Sequence, residues 1–559
     1  MSQARPQGSG FSNTPNSQGS RKKHVQSSAH HIYKENQAIA LINQGRLQQA
    51  EEIYRELVDD GSNNHIVYGN LGALLQMRGD PQNAAACFRN AIKLNPSYPN
   101  THNNLGVLLK EQGDLNAAIN SFRTALQINP NHPDAHNNLG NALLQLGNLD
   151  AATACFEKAL QIKPNHPDVH NNLGNALLEQ GNLNAAIACF KKALQIKPNH
   201  PDAHNNLGNA LLQLGNLDAA TASFKEALQL NPRHMKARFN KSLVMLLQGD
   251  YKNGWEEYES RIHINQINSK IRSLPTPNLW KGETIKPGYT LLLISEQGLG
   301  DTLQFMRYAF ALRDQGIKVS ISAPQRLHPL IQSSGIDPSP QKHDLSNLGR
   351  TELWTPLLSV PRHLKVSPAN PVISKPYIKT PERLNSKWRD LISTKTTPII
   401  GMNWRGNREE PKTLCRNIPF KDFKKLINEL PGSFISLQRG AKQSEIEEIT
   451  RNFKATQHQS NISKAADSDK PEDLLEYAAI IANCDLVITT GTTVAHIAGG
   501  IGIPTWVLLP RTPDWRWGLN SNETFWYPSV RLFRQSVQGE WEDVIDRVGR
   551  ELRKKFGSR

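Results

Sequence analysis

A helical repeat array followed by an α/β region built on parallel sheets is the fold class this sequence predicts, and three observations carry it. Gly45, Gly79, Gly113, Gly147, Gly181, Gly215 and Gly249 recur every 34 residues, and so do Pro96, Pro130, Pro164, Pro198 and Pro232. Beyond residue 280 the apolar pattern changes to short strand-sized runs alternating with amphipathic stretches, starting at Tyr289–Ser295. Residues 1–30, rich in Ser, Gly, Gln, Asn and Pro, hold too few large apolar side chains to offset the entropy of ordering, so a disordered tail is expected there.

The repeats occupy 31–268 as seven units. Within one unit Leu105, Gly106 and Leu109 mark one amphipathic helix, and Ala118, Phe122 and Ala125 mark a second. Gly113 ends the first helix and Pro130 starts the next unit, so each unit reads as a helical hairpin whose core is completed by its neighbours. The pattern resembles the tetratricopeptide repeat. Its outer units depart from the pattern: Ala38 replaces the first-helix glycine in the first, while Ser242 replaces it in the seventh, which also carries Arg261 at a small-residue position. Cys87, Cys155 and Cys189 share one repeat position and read as small buried packing residues.

An asparagine column, including Asn70, Asn104, Asn138, Asn172 and Asn206, recurs just before the Leu-Gly pair. An amide both donates and accepts, so such a ladder suits an extended peptide backbone; equally, it suits bonds between neighbouring repeats.

Two parallel-sheet domains are expected at 269–395 and 396–559, with strands at Tyr289–Ser295, Lys318–Ala323, Thr397–Met402, Ser433–Leu437, Asp485–Ile488 and Thr505–Leu509. Ligands of such sheets bind beyond the carboxyl ends of the strands. The turn Gly298-Leu299-Gly300-Asp301 fails as a dinucleotide fingerprint, because Leu303 stands at the third glycine position. Asp301 then reads either as a helix cap or as a general base.

Charge and composition exclude other classes. Of 65 basic and 50 acidic residues, 1–30 hold four and none, 31–268 hold 20 and 21, and 269–559 hold 41 and 29. The excess lies without any long basic block, so nucleic acid is not expected and an anionic small molecule is. No run of about 18 apolar residues spans a membrane, although peripheral association with a membrane surface stays open. The N-terminus lacks a signal-peptide core, and five cysteines without a CxxC pair give neither a disulfide framework nor a zinc site. A cytoplasmic, metal-free protein without a bound cofactor is expected.

The segments EQGLGDTLQFMRYAF from Glu296, GMNWRGN from Gly401, FISLQ from Phe434, DLVITTGTTVAHIAGGIGIPTWVLLP from Asp485, PDWRW from Pro513 and WYPSVRLFRQ from Trp526 resemble the bacterial tetratricopeptide glycosyltransferases. These are related to the heptosyltransferases and, more distantly, to the O-linked N-acetylglucosamine transferases. The resemblance implies a GT-B fold of two Rossmann-like domains and inverting, metal-independent transfer from a nucleotide-sugar donor. The acceptor, a protein or a glycan, would be presented by the repeats, whose asparagine ladder would hold polypeptide. It also implies Asp301 as the base with Glu296 as a second candidate, and a donor site of Arg405, Gln438, Gly491, Thr492, Thr493 and His496. Gly491 departs from the family pattern, which carries an acidic residue there. That departure keeps an alternative open: an interaction scaffold whose transferase-like domain is inactive.

Overall fold

The computed structural model describes residues 24–264, 271, 274, 278–341, 352–392, 398–406, 416–428, 433–450 and 456–557. Most of the expected tail, with its Arg21-Lys22-Lys23 run, lies outside them. The first helix, α1, already spans His24–Asn43, so order begins inside the segment expected to be tail.

The chain divides into two compact units, 1–203 and 204–559. In the first unit, helices pair as the 34-residue period requires: α2 (Leu47–Asp59), α3 (His65–Arg78), α4 (Pro81–Leu94), α5 (Pro99–Glu111), α6 (Leu115–Ile128), α7 (Pro133–Gln145), α8 (Leu149–Ile162), α9 (Pro167–Glu179) and α10 (Leu183–Ile196). Gly113 stops α5 because it takes φ +87°, a left-handed conformation closed to most side chains. Asp114 then caps α6 by accepting from the Ala117 amide at 3.0 Å. The second kind of glycine serves packing. A Cβ on Gly140 would lie 2.6 Å from Phe156, whose ring is completely buried against that bare backbone. The repeat cysteines prove only half-buried, at the rim of this core.

The second unit begins inside α11 (Pro201–Leu214) and continues through α12 (Leu217–Leu230), α13 (Met235–Leu247) and α14 (Tyr251–Tyr258) before any strand appears. The last repeats therefore share a compact unit with the sheets, rather than parting from them near residue 268. The reason is aromatic. Trp255 of α14 donates to the Val366 carbonyl at 2.8 Å and meets Trp515 edge-on at 5.2 Å, and Tyr258 also packs on Trp515.

Two parallel sheets follow. The first has the order β2 (Lys318–Ser322), β1 (Thr290–Ile294), β3 (Glu352–Pro356), with Leu291 opposite both Val319 and Leu353. The second runs β5 (Ser433–Ser436), β4 (Ile399–Asn403), β6 (Leu486–Thr490), β7 (Thr505–Leu509), β8 (Val530–Arg534). Strands β4, β6 and β7 are buried throughout, as expected of strands covered on both faces. Each sheet reverses its winding direction beside its first strand, which puts one crevice between β1 and β3 and another between β4 and β6. Among the described residues no helix is long and apolar enough to cross a membrane.

Candidate functional site

Crevices at points of reversed winding are where open α/β sheets hold ligands, and the two here differ. The β1–β3 crevice is filled by protein. Glu296, just past β1, is fully buried; it accepts from Arg261 Nη2 at 2.7 Å, from Arg261 Nε at 3.1 Å and from the Leu358 amide at 3.1 Å. Arg261 is fully buried as well and also binds Glu259 at 2.6 Å and Ser359 at 2.8 Å. Burial pushes the Glu296 carboxyl up while Arg261 pulls it down. Glu296, the second catalytic candidate by resemblance, is thus already engaged by protein: its oxygens stitch the ends of β1 and β3 to the last repeat. This also explains the arginine at a small-residue position of the seventh unit.

At the β4–β6 crevice, Asn403 Oδ1 accepts from Thr489 Oγ1 at 3.0 Å and from Thr492 Oγ1 at 3.1 Å. Thr490 Oγ1 is buried there without a partner among the described residues. Helix α15 (Leu299–Phe305) follows β1, α16 (Pro471–Ala482) precedes β6, and α17 (Thr493–Ile501) follows it. The loops after β1 and β6 meet: a Cβ on Gly300 would lie 3.0 Å from the His496 ring and 3.7 Å from Thr493 Oγ1. Gly300, the neighbour of Asp301, thus packs against the start of α17, whose free N–H groups and dipole favour an anion.

Asp301 accepts from the Gly298 amide at 3.0 Å and is ion-paired with Arg516. Burial raises its carboxyl pKa against the pull of Arg516. Arg516 also binds Asp514 at 2.9 Å and Gln304 at 2.8 Å, with its guanidinium over the Trp515 ring. Burial works against the charge on Asp514 too, yet Arg516 and Arg416 hold its pKa below the usual carboxylate range.

Three expected donor contacts are otherwise employed. Arg405 is bidentate on Glu445 at 2.7 and 2.8 Å and also bonds the Gly440 carbonyl, so its charge is already neutralised. Gln438 Oε1 accepts from Asn403 Nδ2 and from the Trp404 and Arg405 amides, while its Nε2 donates to Arg439 O. It is a buried brace for the β4 loop. Gly491 lies against an indole: a Cβ there would stand 2.9 Å from Trp517 Nε1.

His496 donates to or accepts from Tyr527 through Nδ1 at 2.9 Å and stacks on Trp517. Burial, reinforced by Arg516, pushes its pKa down to about 3, so the imidazole is neutral and offers hydrogen bonds rather than charge. Its unfolded value is near 6.5. The unfolded chain therefore binds the proton first, and stability present above about pH 6.5 is lost as pH falls toward 3. Relative to His496→Gln, the wild type should lose roughly 1.4 kcal/mol per pH unit across that window, measured by urea unfolding at a series of pH values. Parallel profiles would contradict it.

Arg416 escaped the sequence reading. It donates to the Gly491 carbonyl at 3.3 Å, depresses the pKa of His496 and Asp514, and forms no ion pair among the described residues. Its only sequence signal was a lone arginine before Asn417-Ile418-Pro419, which carries no motif.

In the repeats, the asparagine column is turned partly inward. Asn138 donates to Asn103 at 3.0 Å, Asn172 donates to Asn137 at 2.9 Å, and Asn70 donates to Tyr54 at 2.9 Å. Asn206 accepts from Asn205 at 3.1 Å. Asn104 is the exception. Position 69, where its partner amide would sit, is Gly69, and Asn104 makes no hydrogen bond among the described residues.

The family profile described as the cilia and flagella-associated protein 70 C-terminal domain matches residues 16–242. Protein FlbA of Caulobacter vibrioides is 26% identical over 320 residues, covering 54% of this chain and 52% of FlbA, so the chain spans about half the length of that relative. Solved structures similar to part of the chain include YrrB, "a TPR protein with an unusual peptide-binding site", at 23% identity over 34% of this chain and 98% of YrrB, with a TM-score of 0.29. TTC0263 of Thermus thermophilus shows 24% identity over 33% of this chain and 99% of its own, with a TM-score of 0.30. PilF of Pseudomonas aeruginosa shows 19% identity over 36% and 90%, with a TM-score of 0.32. The helical hairpins on a 34-residue period, with the profile match at 16–242, make this part of the chain a tetratricopeptide-type repeat array, a kind of scaffold suited to protein–protein interaction.

Proposed function

We propose that the two sheets form a GT-B unit that transfers a sugar, with inversion and without a metal, from a nucleotide-sugar donor to an acceptor, and that the repeat array binds polypeptide. The observation that supports this reading is the meeting of the β1 and β6 loops, where Gly300, the neighbour of Asp301, packs against Thr493 and His496 at the start of α17. A diphosphate seated on the α17 amides would have Arg416 as its cation and Thr493 as a hydroxyl donor. Those groups would stabilise the nucleoside diphosphate as charge develops on it, while Asp301 accepts the acceptor's proton. Incubation with a panel of nucleotide sugars, followed by mass spectrometry of the released nucleoside diphosphate, tests the reading. Release from one donor supports transfer; no release from any donor refutes it.

A second reading, an interaction scaffold carrying an inactive transferase-like unit, draws on Trp517 against Gly491 and on the Arg516–Asp301 pair. The donor panel separates the two.

For the array, the amide pairing leaves Asn104, of Asn70, Asn104, Asn138, Asn172 and Asn206, with hydrogen-bonding capacity for a peptide. Asn104→Ala should weaken capture of a polypeptide partner severalfold with little change in melting temperature. Asn138→Ala instead leaves Asn103 Oδ1 without its donor, a loss of about 1–3 kcal/mol. Pull-down and thermal melts of both variants check this, and equal behaviour would contradict it.

A further inference from the structure

A pair of arginines converges beyond the edge strands of the two sheets. Strands β2 and β5 are the edge strands of their respective sheets. Past β2 the chain makes a short turn, Gln325–Leu327, against which α16 packs. Past β5 it reaches Arg439. Arg326 of that turn and Arg439 share one carboxylate oxygen: Asp469 Oδ1 lies 2.8 Å from Arg326 Nη1 and 3.0 Å from Arg439 Nη2.

The arrangement is uneven. The Arg326 side chain is 13% exposed and its Nε is buried with no partner among the described residues, whereas the Asp469 side chain is 77% exposed. Two guanidiniums from opposite sheets therefore converge on half of one loosely held carboxylate. Asp467, nearby, is occupied by the Gly440 amide at 2.6 Å. An oxyanion with two or three oxygens would engage both forks at once, which a single Asp469 oxygen does not.

We propose that Arg326 and Arg439 form an oxyanion-binding subsite at the β2–β5 end of the paired sheets, with Asp469 as its built-in competitor. The ligand group is a carboxylate or a phosphate monoester. Binding stands apart from sugar transfer; on the transferase reading, from which only this assignment follows, the group belongs to the acceptor.

The test is fluorescence anisotropy of a labelled pentaglutamate peptide with the full chain at constant ionic strength, competed by glutarate or by inorganic phosphate. Asp469→Asn should tighten binding at least threefold, because it removes the competitor. Arg326→Gln combined with Arg439→Gln should weaken binding at least tenfold. Lys554→Gln, an exposed charge change on the C-terminal helix, should stay within twofold of wild type. Stronger competition by phosphate assigns the subsite to a phosphoryl group, and stronger competition by glutarate assigns it to a carboxylate. Equal affinity in wild type, Asp469→Asn and the double arginine variant would overturn the proposal, as would weaker binding by Asp469→Asn. Asp469 is largely solvent-exposed, so its variant does not depend on the fold tolerating loss of a buried arginine. The readout does not require an active enzyme.

Discussion

Arg261→Ala should lower the unfolding free energy of the full chain by about 3–5 kcal/mol, the loss seen when one member of a buried ion pair is removed. Both side chains of the Arg261–Glu296 pair are 0% exposed. Removing the guanidinium leaves the buried Glu296 carboxylate without that cation, and leaves Glu259 and Ser359 without their shared donor. The last repeat would also lose its polar tie to the ends of β1 and β3. Replacing both partners together, Arg261→Met with Glu296→Leu, should recover part of the loss, because no buried charge then remains. Urea unfolding of the three variants checks the expectation. A loss below about 1 kcal/mol, the size of an exposed pair, would show that the two residues are not the buried stitch described above.

Asp301→Asn should lower turnover of the donor that the panel identifies by a factor of about 10² to 10⁴, the contribution of a positioned general base. Asparagine is close in shape, accepts from the Gly298 amide and leaves Arg516 its bonds to Asp514 and Gln304, so the fold should persist. Donor affinity should change only a few-fold, because the proposed diphosphate contacts come from α17 and Arg416. Steady-state kinetics separate these effects. A variant with undiminished kcat would remove Asp301 from the chemistry, and one with intact kcat but a raised KM would make it a binding residue.

The array was legible because a 34-residue period repeats the same physical solution. Gly140 and Phe156 identify each other through spacing alone, and the structure puts the ring on the bare backbone. Strands β1, β2, β4, β5, β6 and β7 were legible as apolar runs between turn residues. Strand β3, Glu-Leu-Trp-Thr-Pro, and β8, Val-Arg-Leu-Phe-Arg, were not, since each mixes charge or proline with its apolar residues.

Side-chain commitments were the least legible. Arg405 was named for the donor site by resemblance, yet its partner Glu445 lies 40 positions away. Asp301 was selected from its turn, but its partner Arg516 stands 215 residues further along the chain, inside the Pro513–Trp517 segment, whose sequence names no ion-pair partner. The asparagine column was visible as a column, whereas the inter-repeat pairing that silences much of it depends on a second asparagine one position earlier. Where that second residue is glycine, at position 69, the amide of Asn104 is released.

The crevice between β4 and β6 is the proposed seat of a nucleoside diphosphate, and on that seat the transferase reading stands. Calorimetric titration of the full chain with UDP, GDP and ADP tests it most directly, with Arg416→Gln and Arg405→Gln alongside the wild type. One nucleotide should bind saturably, Arg416→Gln should weaken it at least tenfold, and Arg405→Gln should act only by loosening the β4 loop. No binding of any of the three nucleotides, or binding that ignores Arg416, would contradict the account.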